Sequence, residues 1–114
     1  HDLLVFVDKG QLQQALLNLI LNGLVAMPEG GRLVIETSQS VEGKVHILVK
    51  DTGSGIPEEF REKIFDSFLS ARTGGTGLGL AISKRILRAH DGDLELVESS
   101  PKGTVFRLTL PLFS

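Results

Sequence analysis

The chain has 114 residues and a formal net charge of −2, with 41% hydrophobic and 23% charged residues. This length supports one domain with its own hydrophobic core, and the composition is typical of a globular protein. The near-neutral charge and the lack of Trp and Tyr argue against nucleic-acid binding. Because the chain has no cysteine, disulfides, cysteine catalysis and thiolate metal sites are excluded. No apolar run could cross a bilayer, so we expect a cytoplasmic domain without membrane contact.

The first half of the chain predicts a strand, a long helix and a β-hairpin. A short apolar run at 3–7 predicts the strand, and Asp8 is a suitable N-cap for the long helix. Over 9–27, apolar residues recur every three or four positions, which predicts an amphipathic helix. Alternating apolar residues over 33–37 and 45–49, with a Glu-Gly pair between them, predict two antiparallel strands.

The second half predicts two helices and a second hairpin. A short helix is predicted over 58–65, followed at 66–76 by a loop rich in Ser, Thr and Gly. Helical spacing returns over 78–90, and strands are predicted over 93–98 and 104–112. The order of elements indicates an α+β domain, a two-layer α/β sandwich whose helices cover one face of a mixed, mostly antiparallel sheet.

The first of two glycine clusters is Asp51-Thr52-Gly53-Ser54-Gly55-Ile56-Pro57, at the end of a predicted strand. The Asp51 carboxylate could accept a hydrogen bond from the exocyclic amine of adenine. Glycines beside it would let the backbone approach a flat ring closely. Alternatively, Asp51 caps a turn through its own backbone and binds no ligand.

The second cluster, Gly74-Gly75-Thr76-Gly77-Leu78-Gly79-Leu80, runs directly into a predicted helix. Free N–H groups at a helix start, together with the helix dipole, favour an anion such as a phosphate. The cluster lacks the Gly-Lys-Ser/Thr of a Walker A loop, and it comes after a loop rather than the strand of a Rossmann unit. The alternative is a helix entry that merely tolerates glycines.

Two asparagines, Asn18 and Asn22, lie one turn apart on one face of the predicted long helix. Carboxamides in a cleft could ligate Mg²⁺ through oxygen and donate hydrogen bonds to phosphate. They could equally face solvent or make tertiary hydrogen bonds. Arg72, in the predicted loop, could reach a terminal phosphate or be an ordinary solvated arginine. The three histidines have no spacing to a carboxylate that suggests a metal site.

In this order, the motifs resemble the catalytic, ATP-binding domain of bacterial two-component sensor histidine kinases. The wider group includes gyrase-type, mismatch-repair and heat-shock chaperone ATPases. Residues 14–23 are similar to the family's N box, 51–56 to its G1 box, 64–68 to its F box and 75–80 to its G2 box. The resemblance covers essentially the whole chain and implies the Bergerat α/β sandwich.

The resemblance implies a role for each candidate site residue. Asn22 would coordinate Mg²⁺ bridging the ATP phosphates, with Asn18 beside it, and Asp51 would hold the adenine amine. Arg72, where the nitrogen-regulation type of sensor kinase usually has a lysine, would join the two asparagines in catalysis. Gly23 stands where the family more commonly has Ala. The remaining residues implied around the nucleotide are Gly53, Gly55, Ile56, Gly75, Thr76, Gly77, Leu78 and Gly79.

The residue type at position 18 also distinguishes a kinase from a hydrolysing ATPase. In the ATPase relatives a Glu there activates water, and because asparagine accepts no proton at neutral pH we expect slow hydrolysis. The expected reaction transfers the γ-phosphoryl group to a histidine on a separate helical dimerisation domain, and then to a response regulator. Residues 1–114 would be a monomeric domain of a longer protein, unable to phosphorylate itself. An ATP-hydrolysing module of the same fold and a non-catalytic nucleotide-sensing scaffold remain alternatives.

Overall fold

The computed structural model describes residues 7–40, 42–66 and 79–112. Residues 3–6 of the first predicted strand and most of the predicted loop lie outside this part of the chain. The same holds for five of the candidate site residues, which are Arg72, Gly75, Thr76, Gly77 and Leu78.

The described chain forms two α-helices, one short 3₁₀ helix and four strands. In chain order they are α1 (Lys9–Val25), β1 (Leu33–Gln39), β2 (Lys44–Asp51), the 3₁₀ helix (Glu58–Lys63), α2 (Gly79–Ala89), β3 (Asp93–Ser100) and β4 (Gly103–Pro111). The bounds predicted for these elements are correct to within two residues. The short helix, for which the sequence predicted no type, is a 3₁₀ helix. None of the described helices is long and apolar enough to cross a membrane.

Helix α1 begins at the predicted cap. Asp8 Oδ1 accepts a hydrogen bond from Gln11 N at 3.0 Å, which satisfies one of the free N–H groups of the first turn. The backbone N–H of Asp8 donates to Nε2 of His90 at 3.1 Å, and Nδ1 of the same ring lies 2.8 Å from the carbonyl oxygen of Ile86. The imidazole therefore joins the beginning of α1 to the end of α2.

The four strands form one antiparallel sheet in the order β1-β2-β4-β3. Strand β4 is thus inserted between β2 and β3, although it is the last strand in the chain. At one end of the sheet a row of directly paired residues crosses all four strands, and its members are Leu33, Asp51, Thr104 and Ser99. Paired residues of this kind point to the same face of the sheet.

The core lies between one face of the sheet and both helices. Alternate residues of β2 and β4 are buried, as expected when one sheet face is covered. The core cluster consists of Ala15, Leu19, Val49, Ile64, Leu80, Leu87, Leu94, Phe106, Leu108 and Leu110. The two helices also contact each other, and the fully buried Ser83 hydroxyl donates to the carbonyl oxygen of Ala15 at 3.0 Å. The predicted two-layer α+β fold is confirmed.

Lys84 connects α2 to β3. Its ammonium donates to the carbonyl oxygen of Leu94 at 2.8 Å, lies 3.1 Å from Asp93 Oδ1 and lies 4.7 Å from the ring centroid of Phe65. Burial raises the pKa of Asp93, but hydrogen bonds from Leu94 N–H, Lys84 and Arg88 outweigh it, so the pKa lies below its ordinary value. The ionised form of Asp93 therefore stabilises this corner of the fold.

We expect Asp93→Asn to lower the free energy of unfolding at neutral pH. Because the folded pKa is lowered, the stabilisation is complete above the ordinary value of about 3.9 and is lost as the pH falls through the folded pKa. Urea unfolding of wild type and variant between about pH 2 and pH 7 checks this, and the difference should vanish at the acid end. In a Lys84→Met background the effect of Asp93→Asn should be smaller. A difference that stays constant with pH would contradict the ionic role.

Candidate functional site

The Asp51 carboxylate lies at the end of β2, directly against α1. It is buried, and its Oδ1 accepts a hydrogen bond from Gly53 N at 2.8 Å. A Cβ placed on Gly23 would lie 3.4 Å from Asp51 Cβ and 3.5 Å from its Oδ2. One carboxylate oxygen thus holds the following turn. The other lies beside the helix, at the residue after Asn22, and makes no hydrogen bond to the described part of the chain.

The two asparagines of α1 have different surroundings. Asn18 is buried, its Nδ2 donates to the carbonyl oxygen of Gly79 at 3.3 Å, and its Oδ1 accepts from Gln14 Nε2 at 3.0 Å. It therefore fixes the first residue of α2 against α1, the tertiary role that the sequence left as an alternative. Asn22 is half-buried one turn further on, and its side chain makes no hydrogen bond to another described residue.

The acidic, His and Cys side chains of the described residues do not form a complete metal site at Asn22. No cluster of three or more His, Cys, Asp and Glu side chains that could hold a metal is found within 7–40, 42–66 and 79–112. Mg²⁺ commonly binds through one or two protein oxygens, with phosphate oxygens and water completing its octahedron. The amide oxygen of Asn22 therefore fits a magnesium ion that arrives with a phosphate ligand.

The backbone between Asp51 and the 3₁₀ helix, residues 53–56, is here called the glycine loop. It packs closely on α1, because a Cβ on Gly53 would lie 2.6 Å from the carbonyl oxygen of Ala26 and 2.7 Å from its Cβ. Gly55 has φ +83°, and a Cβ there would overlap the carbonyl oxygen of Ser100. Both glycines are thus required by close contacts, and Gly55 also by its backbone conformation.

Two residues of the second hairpin hold the end of the glycine loop, and neither was predicted from the sequence. Ile56 N donates to Ser99 Oγ at 2.8 Å, and Ser99 Oγ lies 2.9 Å from Thr104 Oγ1. Thr104 is buried and pairs directly with Asp51 across the sheet. Polar residues at the end of a predicted strand were the available signal, but the position of β4 next to β2 is not visible in the sequence.

The predicted site residues that the structure describes form one continuous group at the C-terminal half of α1. Asn18 contacts Gly79, and α1 contacts Asp51 and Gly53. Asp51 is in turn connected to Ile56 through its strand partner Thr104 and through Ser99. The group offers a buried carboxylate, a carboxamide that bonds to no other described side chain or backbone group, a glycine loop and a helix start. Together these could bind a base and an anion.

Over residues 7–114 the chain matches the family described as histidine kinase-, DNA gyrase B-, and HSP90-like ATPase. The chain belongs to this family. It is 46% identical over 107 residues to Sporulation kinase C of Bacillus subtilis (strain 168), a match that covers 94% of this chain and 25% of that kinase. The domain therefore spans a quarter of the length of this curated relative.

Solved structures of histidine kinases share the fold of this ATPase domain. The catalytic domain of histidine kinase ThkA, in a nucleotide-free form, has a TM-score of 0.82 and 37% identity, covering 94% of this chain and 71% of that one. Full-length ShkA in complex with AMPPNP has a TM-score of 0.79 and 32% identity, covering 96% of this chain and 23% of that one. The Bergerat-type sandwich expected from the motifs is confirmed.

Replacing each of two glycines with alanine should show which glycine is required by close packing and which position also accepts a slightly larger residue. Gly53→Ala should lower the free energy of unfolding by about 1–3 kcal/mol, because its Cβ would strike the backbone of Ala26. Gly23→Ala should change it by less than about 1 kcal/mol, because the higher helix propensity of Ala offsets the contact. Its nearest neighbour is the flexible end of Leu33, with Cδ1 at 3.0 Å. Urea unfolding measures both changes, and an equal loss at the two positions would contradict this assignment.

Proposed function

We propose that this domain binds Mg-ATP and transfers the γ-phosphoryl group to a histidine on a separate helical dimerisation and phosphoacceptor domain. The phosphoryl group then passes to an aspartate in the receiver domain of a response regulator. The observation that carries the proposal is the buried Asp51 carboxylate, which has one oxygen bound to Gly53 and the other beside the helix of Asn22. On this proposal the chain is a cytoplasmic, monomeric domain of a longer protein.

Asp51 would accept a hydrogen bond from the exocyclic amine of adenine. A hydrogen bond to an ionised acceptor is stronger than one between neutral groups, and burial reduces competition from water. Gly53, Gly55 and Ile56 would form the wall of the base pocket, since the glycine loop is already packed against α1 and β3. That the ShkA structure contains AMPPNP, an ATP analogue, supports ATP as the nucleotide.

Asn22 would hold Mg²⁺ through its amide oxygen, and the bound ion would neutralise charge on the phosphates. Asn18 would act beside it by holding Gly79, so that the N–H groups at the start of α2 face the phosphates. Gly75, Thr76, Gly77 and Leu78 belong to the proposed phosphate site, and Arg72 is proposed to contact the terminal phosphate.

Transfer is favoured over hydrolysis by the surroundings of Asn18. Its amide is buried and already bonded to Gly79 and Gln14, and an amide cannot take a proton from water at neutral pH. The phosphoryl acceptor is proposed to lie elsewhere, and in the described part of the chain the rings of His46 and His90 are both engaged in contacts.

Calorimetric titration of ATP, with and without Mg²⁺, tests the proposal. Asp51→Asn keeps the shape of the side chain and removes its charge, so affinity should fall by about 1.5–3 kcal/mol, roughly 10- to 150-fold. The loss should be the same with and without Mg²⁺. Asn22→Ala should instead abolish the gain in affinity that Mg²⁺ provides and leave metal-free binding unchanged.

Two results would contradict the assignment. One is a folded wild-type domain that binds no ATP, and the other is an Asp51→Asn variant that binds ATP as tightly as wild type. Unfolding curves recorded on the same samples serve as the control, because a variant that has lost its fold says nothing about Asp51.

A further inference from the structure

The glycine loop is held to the sheet at both of its ends by a side chain on a strand. At the first end, Gly53 N donates to Asp51 Oδ1 at 2.8 Å. At the other end, Ile56 N donates to Ser99 Oγ, also at 2.8 Å. Between them Gly55 packs on the backbone of β3. The path of the loop therefore depends on β3 as much as on Asp51.

The Ser99 hydroxyl also belongs to the row of residues that contains Asp51. Thr104 pairs directly with Asp51 on one side and with Ser99 on the other, so the three side chains share the face of the sheet that carries the core. Ser99 Oγ lies 2.9 Å from Thr104 Oγ1, and Thr104 is only 4% exposed. A buried hydroxyl without a partner is unfavourable, and Ser99 supplies that partner.

A serine hydroxyl has enough hydrogen-bonding groups, one proton and two lone pairs, to make both contacts. Because the backbone N–H of Ile56 can only donate, it occupies one lone pair of Ser99 Oγ. The second lone pair or the hydroxyl proton of Ser99 remains for Thr104, and either direction of that bond leaves the loop contact intact. Alanine at position 99 would remove both hydrogen bonds at once.

We infer that Ser99 is a positioning residue of the nucleotide site. It touches neither the base nor the phosphates. It holds Ile56 and Thr104, and through them it sets the distance between the glycine loop and the Asp51 carboxylate. This inference rests on the proposed function and extends it, since binding sites lose affinity when their supporting contacts allow shifts of about 0.5 Å. The phosphate side, at Asn22 and α2, does not depend on Ser99.

The test titrates ATP and ADP into wild type, Ser99→Ala, Ser99→Thr and Ser100→Ala. Ser99→Ala should weaken binding of both nucleotides by the same factor, about fivefold to tenfold, the size expected for the one of its two lost hydrogen bonds that holds the glycine loop. Its gain in affinity from Mg²⁺ should match that of wild type. Ser99→Thr keeps the hydroxyl and should recover most of the affinity. Ser100→Ala is the matched control, because that neighbouring hydroxyl accepts the turn N–H of Lys102 at 3.1 Å and should leave affinity unchanged.

Amide hydrogen exchange gives a readout that general destabilisation cannot imitate. In Ser99→Ala, without nucleotide, the Ile56 amide should exchange at least about tenfold faster than in wild type, while the Val49 amide in the buried centre of β2 reports global opening. Faster exchange at Ile56 alone supports the inference. Equal acceleration at Ile56 and Val49 would overturn it.

The titrations distinguish failure of this inference from failure of the proposed function. A folded wild-type domain that binds neither ATP nor ADP overturns both together. Wild-type binding that Ser99→Ala leaves unchanged overturns the inference alone. So does a loss of affinity that Ser100→Ala reproduces.

Discussion

The close packing of α1 against the end of β2 brings the Asp51 carboxylate, the glycine loop and Asn22 together. With only hydrogen at Gly23, the helix lies next to the Asp51 carboxylate, and the same approach brings Ala26 against Gly53. Asn22 directly precedes Gly23 and consequently lies next to the contact between the helix and the carboxylate. A side chain at Gly53 would act on the site by moving the helix, without touching a ligand, whereas alanine at Gly23 would press mainly on the flexible end of Leu33.

The second interface that matters is between the two helices. The Asn18 amide donates to the carbonyl oxygen of Gly79, and the Ser83 hydroxyl, one turn further along α2, donates to the carbonyl oxygen of Ala15. Both bonds are buried, so neither competes with water and each fixes the position of α2 along α1. The start of α2 is thereby fixed relative to the asparagine proposed to hold the metal. The different roles of Asn18 and Asn22 support the proposed phosphoryl transfer, because the position that would carry a general base carries a structural amide instead.

Local features of the fold were predictable from the sequence, and features that depend on strand order were not. Apolar spacing and the Asp8 cap placed α1 correctly because both act within a single helical turn. The short helix after Pro57 was predicted but its type was not, since six residues give too little periodicity to distinguish a 3₁₀ from an α-helix. Ser99 and Thr104 were missed because β4 lies beside β2, a pairing between residues more than fifty positions apart. The different surroundings of Asn18 and Asn22 depend likewise on Gly79, 61 residues further along the chain.

The fate of the γ-phosphoryl group tests the proposed transfer most directly. The domain is incubated with Mg²⁺ and γ-labelled ATP, alone or with a helical dimerisation domain that bears the acceptor histidine, and with its His→Ala variant as control. We predict acid-labile label on the acceptor histidine, loss of that label with Asp51→Asn, and slow release of free phosphate without the acceptor. Rapid phosphate release that the acceptor does not alter, with no label on protein, would contradict phosphoryl transfer and identify a hydrolysing ATPase.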